Sequence, residues 1–163
     1  LSPINKIAYC NLGLIYTMQD KSDHAEKNYL KAIELDSEFT EAYSGIALHY
    51  TGEGKYDQAE INFLKAIELD FTSSPSWSKS QKISETYTGY GILLYAQEKY
   101  DQAEIKLLKA IEVNPEYARP YDFLGFLYYK TGKKRLGLKY FKKAAQLGHQ
   151  GAKKWLKDNG HTW

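Results

Sequence analysis

The stretch Lys55–Asp70, KYDQAEINFLKAIELD, is written a second time at Lys99–Asn114 as KYDQAEIKLLKAIEVN, with twelve of the sixteen positions identical. A looser copy precedes them from Asp20 to Asp36 (DKSDHAEKNYLKAIELD), and a weaker one follows from Lys133 to Leu147 (KKRLGLKYFKKAAQL). Ala59, Phe63 and Ala66 in the first copy step by four and then three, which places them on one face of a helix. Chains that repeat one helical unit build arrays in which each unit rests on its neighbours, and arrays bind more often than they catalyse.

Outward from this phrase, the chain divides into four units of 34 residues, 6–39, 40–73, 84–117 and 118–151. Each has a first half before the phrase. There Tyr43, Ile46, Ala47 and Tyr50 fall at i, i+3, i+4 and i+7, again one helical face. The corresponding residues are Tyr9, Leu12, Gly13 and Tyr16 in the first unit, Tyr87, Tyr90, Gly91 and Leu94 in the third, and Tyr121, Leu124, Gly125 and Tyr128 in the fourth. Each unit is therefore expected to be a hairpin of two antiparallel helices. Small residues of the first helix (Gly13, Ala47, Gly91, Gly125) are expected to meet small residues of the second (Ala25, Ala59, Ala103, Gly137). A lone hairpin cannot bury its apolar face, so the units must stack.

This period and pattern resemble the tetratricopeptide repeat family, whose aromatic-x-x-Leu-Gly-x-x-Tyr…Ala…Phe/Tyr…Ala…Pro signature is matched in all four units. Only the third keeps the terminal proline, Pro115. The resemblance implies an all-α fold of four stacked hairpins over 1–163, forming a right-handed superhelical arc. Ten residues, Ser74–Ile83 (SPSWSKSQKI), are inserted between the second and third units. Ser74–Pro75 has the form of a helix start, so the insert either extends the next helix backwards or makes a polar loop carrying Trp77. Residues 150–159 (QGAKKWLKDN) read as a capping helix whose Trp155 and Leu156 cover the open face of the fourth unit.

The resemblance also carries over groove positions on the first helices. One of them is apolar in every unit, at Leu14, Leu48, Ile92 and Phe126, and another is aromatic in the last two, at Tyr95 and Tyr129. Asn11, Ser44, Thr88 and Asp122 are the expected neighbouring polar groups. Such a floor suits an apolar or amphipathic peptide. The same side chains would equally serve as packing between successive first helices. Some family members grip a partner's terminal carboxylate with cationic side chains. Here the corresponding positions include Cys10, Leu14, Gly45, Glu85 and Gly89, which offer no cationic fork.

Charge is unevenly placed. Residues 130–163 carry ten Lys or Arg and one acid, Asp158, while the net charge of the whole chain is only +2. Arg135, Lys139, Lys142, Lys143, Lys153 and Lys157 form a candidate basic patch for an acidic partner, with a solvated outer face as the competing account. Nucleic acid is the less favoured partner. The four His lack ligand spacing, no nucleotide loop or nucleophile motif is present, and Cys10 has no neighbouring base. The expectation is thus a non-catalytic adaptor or scaffold without metal or cofactor, with self-association or an accessory-domain role as alternatives. A protein or peptide partner follows from that, with the chain itself a monomer or weak homo-oligomer. No run is long enough to span a bilayer and no signal peptide is visible, so a soluble protein is expected; the cytoplasm is the favoured compartment, though the missing signal says little about it. The chain opens on Leu1, as a fragment or processed form would.

Overall fold

The structure, a computed structural model, describes residues 3–72 and 77–163. Among the described residues every regular element is a helix: α1 (Pro3–Met18), α2 (Ser22–Leu35), α3 (Thr40–Gly52), α4 (Tyr56–Thr72), α5 (Trp77–Ala96), α6 (Tyr100–Val113), α7 (Ala118–Lys130), α8 (Lys134–Gln146) and α9 (Gln150–Asp158). They form two compact units, Leu1–Pro75 and Ser76–Trp163. The first holds hairpins α1–α2 and α3–α4, and the second holds α5–α6 and α7–α8 followed by α9. Residues 77–83 of the insert are helical and continuous with α5, which makes that helix 20 residues long. Ser74 and Pro75 lie outside the described residues, as does the side chain of Trp77.

Each first helix must reverse within three or four residues. The chain does this with a left-handed residue at Asp20, Gly54, Glu98 or Gly132, at φ between 56° and 80°. In three of the hairpins the next amide closes a six-residue ring back onto the helix, Lys21 to Tyr16, Lys55 to Tyr50 and Lys99 to Leu94, at 2.9–3.0 Å. This closure satisfies carbonyls that a helix end leaves orphaned.

The glycines explain how closely the paired helices approach. A Cβ on Gly125 would stand 2.7 Å from the Phe141 ring, one on Gly91 would stand 2.7 Å from Leu107, and one on Gly13 would stand 2.9 Å from Tyr29. The notch in α1, α5 and α7 thus seats the bulky residue of the second helix. Small residues facing small residues, as expected from the sequence, describes only part of the contact. It holds at Gly137, where an added Cβ would lie 2.8 Å from the Gly125 carbonyl. In the first unit the Tyr29 ring is gripped from both sides, because a Cβ on Gly45 of α3 would meet it at 2.5 Å.

Between hairpins the stitching is polar. Tyr50 donates to Glu26 at 2.8 Å in the first unit, and Tyr128 donates to Glu104 at 2.7 Å in the second. Burial and the neighbouring carboxylate push the Tyr50 phenol up to about 12 and raise Tyr128 as well, so both remain donors at neutral pH. The buried His49 is held the same way, with Nε2 3.2 Å from Ser22 Oγ and Nδ1 3.4 Å from Thr17 Oγ1.

In the second unit α9 lies on α8. Trp155 stacks on Phe141 with ring centroids 4.0 Å apart and meets Tyr129 edge-on at 4.8 Å. Leu156 and Ala152 are fully buried beside Phe141, Ala144 and Ala145. Because Phe141 is pinned between the Gly125 notch and Trp155, there is little room to yield. Gly125→Ala is therefore expected to cost about 1–3 kcal/mol by overpacking, read as a lower denaturation midpoint with an unchanged helical far-UV spectrum. Gly52→Ala, where an added Cβ meets nothing within 4 Å, is the matched control with no such loss.

Candidate functional site

The first helices carry the residues expected to line a groove. In the first unit Leu14 on α1 and Leu48 on α3 are 53% and 38% exposed. Asn11 is exposed and Ser44 half-buried beside them in the repeat register. In the second unit Phe126 on α7 is 37% exposed, while Ile92, Tyr95 and Tyr129 are half-buried. These aromatic residues also have packing partners. Phe126 meets Phe141 edge-on at 4.9 Å, Tyr95 meets Tyr100 at 5.6 Å, and Tyr129 faces Trp155.

Two of the expected polar groups do not face solvent. Thr88 is 1% exposed, and its hydroxyl donates to the Ser84 carbonyl at 2.7 Å, one turn back on α5. Asp122 is 5% exposed, with Oδ1 3.4 Å from His149 Nδ1. The i, i+3, i+4 reading could not place these residues, because a threonine or aspartate at the edge of a buried stripe has the same spacing as one at the edge of a groove. The signal for Asp122 was His149, a residue that belongs to the α8–α9 turn and not to the repeat pattern.

His149 Nδ1 also accepts the Ala152 amide at 3.3 Å, capping α9. The Asp122 oxygen that faces this nitrogen, Oδ1, is buried without a hydrogen-bond partner. Burial pushes the Asp122 carboxyl up, against the opposing pull of His149 and Arg119. Cys10 on α1 is half-buried, and burial with Glu41 nearby pushes its thiol up to about 11, away from thiolate character at neutral pH.

The basic patch is divided between helices. Arg135, Lys139, Lys142 and Lys143 share a hollow of about 690 Å³ on α8, floored by Tyr121, Leu138 and Tyr140 and closed by Gln146. Lys153 and Lys157 stand on α9 and do not line it. Sequence spacing found the four cations but missed the aromatic floor, since Tyr121 comes from α7 and reaches the hollow only when the hairpin closes.

The family model described as Tetratricopeptide repeat matches at residues 7–39, and a second model of the same description matches at 40–73. The chain belongs to the tetratricopeptide repeat family. No curated protein matches it significantly. Among solved structures, one titled for Pseudomonas aeruginosa pilF is similar over 88% of this chain and 61% of that chain, at 26% identity and a TM-score of 0.74. A tetratricopeptide repeat protein from Parabacteroides merdae aligns over 96% of this chain and 58% of its own, at 23% identity and a TM-score of 0.77. PilW, titled a type IV pilus biogenesis factor, aligns over 90% and 63%, at 18% identity and a TM-score of 0.73. This chain thus spans less than two thirds of each of these three structures, and the two below 25% identity show the fold alone. Tetratricopeptide repeats with these neighbours support a protein–protein interaction scaffold. No helix among the described residues is long and apolar enough to cross a membrane.

The Asp122–His149 contact gives a pH signature. A carboxyl raised in the folded state binds its proton more tightly there than in the unfolded chain. Its contribution is complete below the ordinary carboxylate range and is lost as pH rises through the raised folded value. Thermal melts between about pH 4 and 7 are expected to show the wild type losing stability as pH rises across this window. Asp122→Asn, which cannot ionise, should flatten that slope.

Proposed function

We propose that this tetratricopeptide repeat protein is a scaffold that receives apolar or amphipathic peptide segments on the first-helix faces within each of its two units. The observation that carries this reading is the repeated exposure of one position. Leu14, Leu48 and Phe126 occupy the same place in three repeats and stay more than a third exposed, while on α3 and α7 the opposite side of the helix is packed, with Ile46 and Tyr50 behind Leu48 and Leu124 and Tyr128 behind Phe126. An apolar side chain kept at the surface at the same register is a feature that packing alone does not require. Asn11 and Ser44 beside Leu14 and Leu48, and Tyr95 and Tyr129 in the second unit, would supply the polar and aromatic rim.

Capture of partners from native lysate, with the wild type beside Leu48→Glu/Phe126→Glu, tests the assignment. Loss of a captured protein at unchanged stability supports it, and unchanged capture by a folded variant overturns it. Because Phe126 also leans on Phe141, Leu14→Glu/Leu48→Glu, confined to more exposed positions of the first unit, serves as the second variant.

A second reading, self-association, is favoured by a separate face of α1. Ala8, Leu12 and Ile15 are exposed, the last two at 39% and 47%. The same positions on α3 (Ala42, Ile46, His49) are at most 4% exposed, on the side where His49 reaches Ser22 of α2. On α7 the corresponding Pro120, Leu124 and Leu127 are buried. Light scattering over a concentration series separates the outcomes. Association abolished by Leu12→Lys/Ile15→Glu supports self-assembly, and a strict monomer at high concentration removes it.

A further inference from the structure

The outer faces of hairpins α1–α2 and α7–α8 carry the same hollow twice. The two are lined by eight residues each, at matching repeat positions, and measure about 710 and 690 Å³. Size and backbone are held constant, and the chemistry is reversed. In the first hairpin the hollow presents Asp23, Glu26 and Glu34 against Lys27 and Lys31. In the fourth, Asp23 is replaced by Arg135 and Leu30 by Lys142, while the two lysines persist as Lys139 and Lys143. Glu26 and Glu34 become the uncharged Leu138 and Gln146. Three acids and two bases have become four bases and no acid.

The loss of Glu34 has a specific consequence. The second helices of the first three hairpins each close a lysine onto a glutamate three residues on, Lys31–Glu34 at 2.7 Å, Lys65–Glu68 at 3.0 Å and Lys109–Glu112 at 2.8 Å. The fourth has Lys143 and Gln146 at these positions, so the repeated ion pair is dismantled only here. Arg135, Lys139, Lys142 and Lys143 have no ion-pair partner among the described residues. They are at i, i+4, i+7 and i+8 of one helix and stand over an apolar floor. Tyr121 and Tyr140 there are 6.2 Å apart, centroid to centroid. Four cations brought together without counter-charge repel one another unless an anion joins them.

We infer that this hollow on α7–α8 is a second docking site, for an acidic peptide segment of a protein partner. Arg135 to Lys143 spans about 12 Å of helix axis, the length of about four extended residues. Carboxylates along such a segment would meet the cation row, and its apolar or aromatic side chains would rest on Tyr121, Leu138 and Tyr140. A nucleic-acid backbone fits less well. It needs a continuing cationic track, and the Glu116 carboxylate stands close enough to Tyr121 to raise its phenol. The site lies on the outer face of one hairpin and does not depend on the groove proposed above.

Fluorescence anisotropy with a labelled, glutamate-rich peptide of about six residues tests the site. The wild type is expected to bind it, more weakly as salt is raised. Arg135→Asp/Gln146→Glu restores the chemistry of the first hairpin at exposed positions, and is expected to weaken binding about tenfold with an unchanged thermal midpoint. Lys139→Gln/Lys143→Gln should do the same without adding acids. Leu14→Glu/Leu48→Glu, confined to the first unit, should bind the peptide as the wild type does, which keeps this result distinct from the groove test. The inference is overturned if the wild type ignores the peptide at low salt, if the α8 variants bind it equally well, or if a single-stranded oligothymidylate binds more tightly than the peptide.

Discussion

The seating of a large side chain in a glycine notch is the contact on which the rest of the structure depends. Two helices with ordinary side chains pack about 8–10 Å apart. Removing the Cβ at Gly13, Gly91 or Gly125 lets Tyr29, Leu107 or Phe141 enter the first helix's surface, so that each hairpin closes tightly. Tyr29, Leu107 and Phe141 are each no more than 2% exposed as a result. Full burial of such side chains is worth roughly 1.5–3 kcal/mol each, and no single hairpin could collect it without the close approach.

From that contact the remaining architecture follows in steps. Once Tyr29 is gripped by Gly13, its other face is free to meet Gly45, which sets α3 against α2. Once Phe141 is seated on Gly125, its exposed side becomes the platform for Trp155, and α9 is docked by an aromatic stack instead of by a further hairpin. The tyrosine–glutamate bonds at Tyr50–Glu26 and Tyr128–Glu104 then fix the register of neighbouring hairpins by direction, which apolar contact alone cannot do. The scaffold leaves uncovered the first-helix faces at Leu14, Leu48 and Phe126 and the outer face of α8, the surfaces proposed above to receive partners.

The repeat makes the molecule its own control. Positions that pack are nearly invariant among the hairpins, as Ala25, Ala59 and Ala103 are, because an added methylene has nowhere to go. Outer positions of the second helices are freer, yet three hairpins keep the same lysine–glutamate pair. Departures from that background are therefore informative. The change from Asp23, Glu26 and Glu34 to Arg135, Leu138 and Gln146 removes every acid from that hollow.

The sequence by itself determined the helical hairpins, their number, and the covering role of Trp155 and Leu156. Periodicity is a local property, and a helix face can be read from spacing within one turn or two. Helical structure through residues 77–83 was one of two readings the sequence left open, since a polar stretch behind a proline is compatible with either. Only the tertiary structure decided which polar residues are available. Thr88 and Asp122 share their repeat position with Cys10 and Ser44, yet both are buried, Asp122 against a histidine that arrives from the turn before α9. Only the closed hairpin brings Tyr121 of α7 beneath the cations of α8. Burial and electrostatic neighbourhood depend on residues far apart in the chain, and spacing along one helix carries no information about what another helix places opposite it.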